Sequence, residues 1–215
     1  MKKAVIFDLD GTLADTIADI AGAVNRALSR RKLPRFGLDR YKLMVGDGFR
    51  ALIERALPEE LRTEAYIDAT RAEAAADYAG RCLERTSAYP GVLELLSALA
   101  VRGIPAAVLS NKPDDLTKKC VAGLFPSFSF ALVRGETEDF PRKPDPASAL
   151  DVCRRLETSP GDTLYLGDTG VDMRTAKSAG MTALGATWGF RSEEELREAG
   201  ADALLARPLS LLEYL

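Results

Sequence analysis

The chain has 215 residues, 47% of them hydrophobic, enough to bury a sizeable core as one domain with a large insertion or as two small domains. A formal net charge of -3 and the lack of a basic run argue against a nucleic-acid or membrane-surface partner, and no apolar stretch is long enough to span a bilayer. The chain contains no histidine, which excludes His-dependent triads, His general bases and His-ligated metals, while Cys82, Cys120 and Cys153 are too widely spaced for a zinc site and read as reduced, buried thiols. A soluble, cytoplasmic protein is expected, because Asp8 and Asp10 interrupt the opening apolar run before a signal-peptide core can form.

In chain order, Ala4-Val5-Ile6-Phe7 reads as a short buried strand ending at Gly11. Residues 15–87 then turn rich in Ala, Leu, Arg and Glu at helical spacing, with breaks at Pro34, Gly46, Gly48 and Pro58. They predict a helical insert without strands, its first helix opened by a Thr16–Asp19 capping box. After Pro90-Gly91 the pattern alternates. Helices are predicted at 92–102, 114–122, 147–156 and 172–179, and strands at 106–109, 130–133, 163–166 and 182–186. Alternation of this kind predicts an α/β fold, a Rossmann-like parallel sheet with helices on both faces, carrying an inserted α-helical cap. The expected division is 1–14 with 88–215 as the catalytic core and 15–87 as the cap, with hinges near Ala14-Asp15 and Ser87-Tyr89.

Ligands of such sheets bind outside the carboxyl ends of the strands, and that is where the polar residues fall. Asp8 and Asp10 follow the first strand; as residues i and i+2 of an extended segment they share a face and suit a nucleophile beside a general acid. Asp168 and Asp172 follow a later strand, where an N-cap with an acidic first turn is the ordinary alternative. Gathered together, these four carboxylates would repel one another without a hard divalent cation, and Mg2+ fits them. Lys143 sits in a proline-stiffened loop, Arg142-Lys143-Pro144-Asp145-Pro146, and reads as a fixed ammonium for the cluster or as a solvated surface lysine. Ser110-Asn111-Lys112-Pro113, between a strand and a helix, reads as an anion site or as simple capping.

Taken in order, Asp8-x-Asp10-Gly11-Thr12, Ser110, Lys143-Pro144 and Gly167-Asp168-x-x-x-Asp172 resemble the haloacid dehalogenase-like hydrolase superfamily over essentially the whole chain. The resemblance implies a phosphatase working through an aspartyl-phosphate. Asp8 would be nucleophile and metal ligand. Asp10 would be acid and then base, and a ligand through its backbone carbonyl. Ser110 and Lys143 would bind the phosphoryl group, Asp168 would ligate Mg2+, and Asp172 would support it through water.

Val45-Gly46-Asp47-Gly48-Phe49, Ser110-Asn111-Lys112-Pro113 and Thr187-Trp188-Gly189-Phe190 are further similar to the phosphoglycolate phosphatase branch. That similarity implies a small phosphorylated metabolite as partner, 2-phosphoglycolate first, on a monomer or homodimer. Pyrophosphatase, sugar-phosphate phosphatase or phosphomutase activity is the alternative, with a non-catalytic binding protein behind them. Asn111, Gly46 and Arg50 are the candidate substrate contacts beside Ser110 and Lys143; Gly46 and Gly48 also fit a plain break between two helices, and Arg50 an exposed helical face.

Overall fold

The structure is a computed structural model that describes residues 2–215; Met1, at the start of the expected core range, lies outside them. β1 (Ala4–Phe7) leads through a tight turn into β2 (Ala14–Asp15). Four helices follow: α1 (Ile17–Arg30), α2 (Leu38–Met44), α3 (Phe49–Ala56) and α4 (Glu64–Arg81). The chain returns through β3 (Ser87–Ala88) and alternates as α5 (Val92–Val101), β4 (Ala106–Pro113), α6 (Asp114–Leu124), β5 (Leu132–Glu136) and α7 (Ala147–Arg155). It ends with β6 (Thr163–Gly167), α8 (Gly170–Ser178), β7 (Thr182–Ala186), α9 (Glu193–Glu198) and β8 (Ala203–Leu205).

Six strands form one parallel sheet in the order β5-β4-β1-β6-β7-β8. Side chains alternate across it, as strand geometry requires. Val5 and Phe7 pack with α5 and α6 in one apolar cluster, whereas Ile6 packs with α7, α8 and α9 in the other. Both faces being buried explains why the strands read as unbroken apolar runs. Because β1 lies between β4 and β6, the chain winds outward from it in both directions. The crevice beyond its carboxyl end is the switch point where ligands bind in sheets of this kind.

The two expected hinge segments are paired to each other. β2 and β3 form an antiparallel ribbon with Ala14 opposite Ala88 and Asp15 opposite Ser87. One strand of it thus starts where the sequence showed only helix. The predicted Thr16–Asp19 capping box does not form: Thr16 makes no side-chain cap bond and its hydroxyl is buried without a partner. Asp19 is drawn across to the other linker, where its Oδ2 accepts from Arg85 N, Thr86 N and Thr86 Oγ1, each at 2.9 Å. Tertiary demand outweighs the local cap here, because the Thr86 N–H and hydroxyl would otherwise be buried unpaired.

Other departures are local. The strand expected at 130–133 begins at Leu132, since Phe130 turns aside to pack edge-on against Phe128 with ring centroids 4.7 Å apart. α8 starts at Gly170, capped by Thr169 rather than Asp168. β8 and α9 were not anticipated: three and six residues carry too little periodicity to be seen.

Replacing Asp19 by Ala should cost about 2–4 kcal/mol, because it strands several buried donors. Asp19→Asn, which keeps an acceptor oxygen, should cost less. Urea unfolding midpoints check both.

Candidate active site

The turn after β1 is built around one glycine. Asp8 remains tied to the sheet through its N–H, which donates to Leu166 O at 2.9 Å. The chain then reverses, with Leu13 and Ala14 donating back to Leu9 O. Gly11 takes φ 95° at this bend, and a Cβ there would overlap the Asp168 carboxylate. Absence of a side chain therefore lets the first turn and the carboxylate after β6 meet.

Asp8, Asp168 and Asp172 each place a carboxylate oxygen within 4.8 Å of the others, all three being buried. Asp168 is fixed by Thr12 Oγ1 at 2.9 Å and by Phe190 N at 2.8 Å, and Trp188 Nε1 secures that turn by donating to Thr12 O. Asp172 and Thr169 cap α8 reciprocally, which directs one Asp172 oxygen to Thr169 and leaves the other for Lys143. Lys143 is 6% exposed, which excludes the solvated-lysine alternative. Its ammonium donates to Asp8 Oδ1 at 2.8 Å, Asp172 Oδ1 at 2.7 Å and Leu109 O at 3.0 Å, using all three protons.

One ammonium does not balance three buried carboxylates. Burial raises Asp8 from 3.8 to about 7; Lys143 opposes this, and Asp172 adds to it. Burial, then the charges of Asp8 and Asp172, hold Asp168 well above the usual carboxylate range. Burial alone would lower Lys143, but Asp172 and Asp8 outweigh it and keep the ammonium charged. A donor set of hard oxygens that resists full ionisation without more positive charge fits a divalent cation of the Mg2+ or Ca2+ type.

Asp10 lines the same cleft, but its carboxylate lies outside this group and pairs with Lys112 Nζ at 2.8 Å. Ser110 is buried at the cleft, its Oγ accepting from Lys112 N. The Asn111 side chain is fully engaged elsewhere: Nδ2 donates to Gly46 O and Lys143 O, and Oδ1 accepts from Lys143 N, each at 3.0 Å. It positions the Lys143 loop and the α2–α3 loop and keeps no side-chain donor for a ligand. Gly46 lines the cleft and, with Gly48, breaks the helices at positive φ. Arg50 is a correction: it does not line the cleft, because Asp68 at 2.8 Å and Glu64 hold its guanidinium among α3 and α4.

Three contributors escaped the sequence reading. Lys112 stood in a motif already noted yet was assigned no role. Tyr78 of α4 accepts from Lys112 Nζ at 2.6 Å, and nothing local to α4 signals it. Arg191 donates to Lys42 O and Val45 O, fastening the α2–α3 loop from the core side. Ile20, Phe49, Leu52 and Leu116 form the apolar wall of the cleft.

Parallel α/β topology, a carboxylate cluster at the tip of the first strand and a lysine bridging it define a class of hydrolases. The sequence profile of the haloacid dehalogenase-like hydrolases matches residues 5–186, and the chain belongs to that family. It is 36% identical to a phosphoglycolate phosphatase of Rhodospirillum rubrum over all of this chain and 91% of that protein. It is 33% identical to another from Aquifex aeolicus over 99% and 96% of the two chains. A solved structure from Lactobacillus delbrueckii subsp. bulgaricus, provisionally assigned as a phosphoglycolate phosphatase, superposes with a TM-score of 0.92 at 29% identity, covering 100% and 98%. Among the described residues, no helix is long and apolar enough to cross a membrane.

The carboxylate cluster makes stability depend on pH. Burial raises Asp8 from its unfolded 3.8 to about 7 when folded without a cation. Between these values the folded protein keeps a proton that the unfolded chain has lost, so stability falls as pH rises through the window. A divalent cation binds the ionised groups, so its stabilisation grows with pH over the same range. Melting curves with EDTA and with excess divalent cation should therefore diverge from about pH 4 to about pH 7; parallel curves would count against these carboxylates as cation ligands.

Proposed function

We propose that this chain is a Mg2+-dependent phosphomonoester hydrolase working through an aspartyl-phosphate on Asp8, with 2-phosphoglycolate as its substrate. The reading rests chiefly on Lys143 bridging Asp8 and Asp172 inside the three-carboxylate group beside the cleft. The phosphoglycolate phosphatases at 33% and 36% identity support the substrate.

Mg2+ held by Asp8, Asp168 and the Asp10 carbonyl, with Asp172 supporting it through water, would keep Asp8 ionised and offset charge on the phosphoryl oxygens. Asp8 attacks phosphorus. Asp10 protonates the departing alkoxide, then takes a proton from the water that hydrolyses the acyl phosphate. Lys143 holds Asp8 in line and compensates the charge that develops on the phosphoryl group, and Ser110 donates to a phosphoryl oxygen. We assign residues 15–87 as a cap that excludes water, moving on the β2–β3 ribbon. Cys82, Cys120 and Cys153 are free and buried, which suits a reducing cytoplasm.

Asp8→Asn should lower kcat on 2-phosphoglycolate by roughly 10³-fold or more with melting temperature retained; near-normal turnover would remove Asp8 as nucleophile. Asp10→Asn should cost roughly 10²-fold or more on alkyl phosphates and much less on p-nitrophenyl phosphate, whose leaving group needs no proton. Equal losses on both would count against the acid role. Comparing kcat/KM for 2-phosphoglycolate, pyrophosphate and glucose 6-phosphate tests the substrate.

A further inference from the structure

The cleft contains a second buried lysine, Lys112, beside the Asp10 carboxylate. Lys112 and Lys143 are the cations in its lining, and Lys143 has spent its protons. Lys112 has not. Its ammonium donates to Asp10 Oδ1 at 2.8 Å and Tyr78 Oη at 2.6 Å, and lies 4.6 Å from the centre of the Tyr78 ring. An ammonium has three protons, so one is left without an acceptor among the described residues. Tyr78, which accepts from Lys112, still has its own hydroxyl proton to donate. Both groups line the cleft, and both are buried, Lys112 at 7% and Tyr78 at 1% exposure. Elsewhere in the lining Asn111 is saturated, Thr169 Oγ1 donates to Asp172, Ser110 is taken for the phosphoryl group, and Ile20, Phe49, Leu52 and Leu116 are apolar.

We infer that Lys112, with the Tyr78 hydroxyl, is the receptor for a carboxylate at the non-phosphoryl end of the substrate. The inference rests on the phosphatase reading above and names the residues that select its substrate class, short phosphorylated hydroxy acids. A carboxylate buried against the apolar wall would be strongly disfavoured unless paired, and Lys112 is the cation placed to pair it. The ammonium would then bridge two carboxylates, Asp10 and the substrate's, as Lys143 already bridges Asp8 and Asp172. Because Lys112 is bonded to Asp10, an anion held there also brings the ester linkage beside the proposed acid. Tyr78 belongs to α4, so the receptor is complete only when the insert lies against the core.

The test compares kcat/KM for 2-phosphoglycolate and ethyl phosphate, in which a methyl group replaces the carboxylate. Wild-type protein should prefer 2-phosphoglycolate by roughly 10²-fold or more, because a site built around a charged partner rejects the analogue that lacks it. Lys112→Gln should bring that ratio down to within a few-fold of unity, largely through KM. Tyr78→Phe should reduce it part of the way. If Lys112→Gln lowers both esters equally and the ratio stands, Lys112 acts only on Asp10 and the inference is overturned. Should the variant melt before assay, wild type decides: a ratio near unity overturns the carboxylate receptor while leaving the phosphatase reading intact. Wild-type inertness toward p-nitrophenyl phosphate as well would remove both.

Discussion

Like charges gathered out of water have to be held there, and in this protein that task falls to the Lys143 ammonium. It reaches from the loop after β5 to Asp8 at the tip of β1 and to Asp172 in the first turn of α8. The three elements are brought together by the sheet order, with β1 between β4 and β6. Removing the ammonium would leave three buried carboxylates with no compensating charge, a state that costs several kcal/mol. Even with it, Asp8 and Asp168 stay above the ordinary carboxylate range. The cluster is therefore under-compensated, which suits a donor set for a divalent cation better than a structural ion pair.

A second layer of contacts orders what surrounds the cluster. Asn111 spends its whole side chain on the backbone of Lys143 and of Gly46. Arg191 holds the same loop by Lys42 O and Val45 O. Since the insert offers carbonyl oxygens at these points, its side chains there stay free to vary. The β2–β3 ribbon and Asp19 constrain the other end, where both linkers cross. Together these contacts set one relation between helices and sheet, and hydrogen bonds of about 1 kcal/mol each can be exchanged for water when that relation changes.

The parts of this arrangement legible in the sequence share a property: each is local. Apolar runs revealed β1, β4, β6 and β7, and Asp8, Ser110 and Asp168 could be placed because each follows such a run. Lys143 was marked by its flanking prolines. What stayed hidden depends on partners distant in the chain. Asp19 has the spacing of a capping residue yet bonds to residues 85 and 86. Arg50 looked free for substrate because its position beside Asp68 and Glu64 follows from how α3 and α4 pack. Tyr78 and Lys112 are 34 residues apart, and no motif joins them.

The two lysines show how one device serves different ends within a single cleft. Both are buried, and burial by itself would favour the neutral amine. In both, adjacent acidic groups reverse that tendency and keep the ammonium charged, Asp172 and Asp8 for Lys143 and chiefly Asp10 for Lys112. They differ in what is left over. Lys143, with three acceptors, is a fixed charge whose geometry a ligand cannot easily alter. Lys112, with two, is held in place but retains bonding capacity toward the cleft. Two carboxylates of similar sequence context, Asp8 and Asp10, are thereby given separate environments by separate cations. That separation is what the proposed division of roles between nucleophile and acid requires.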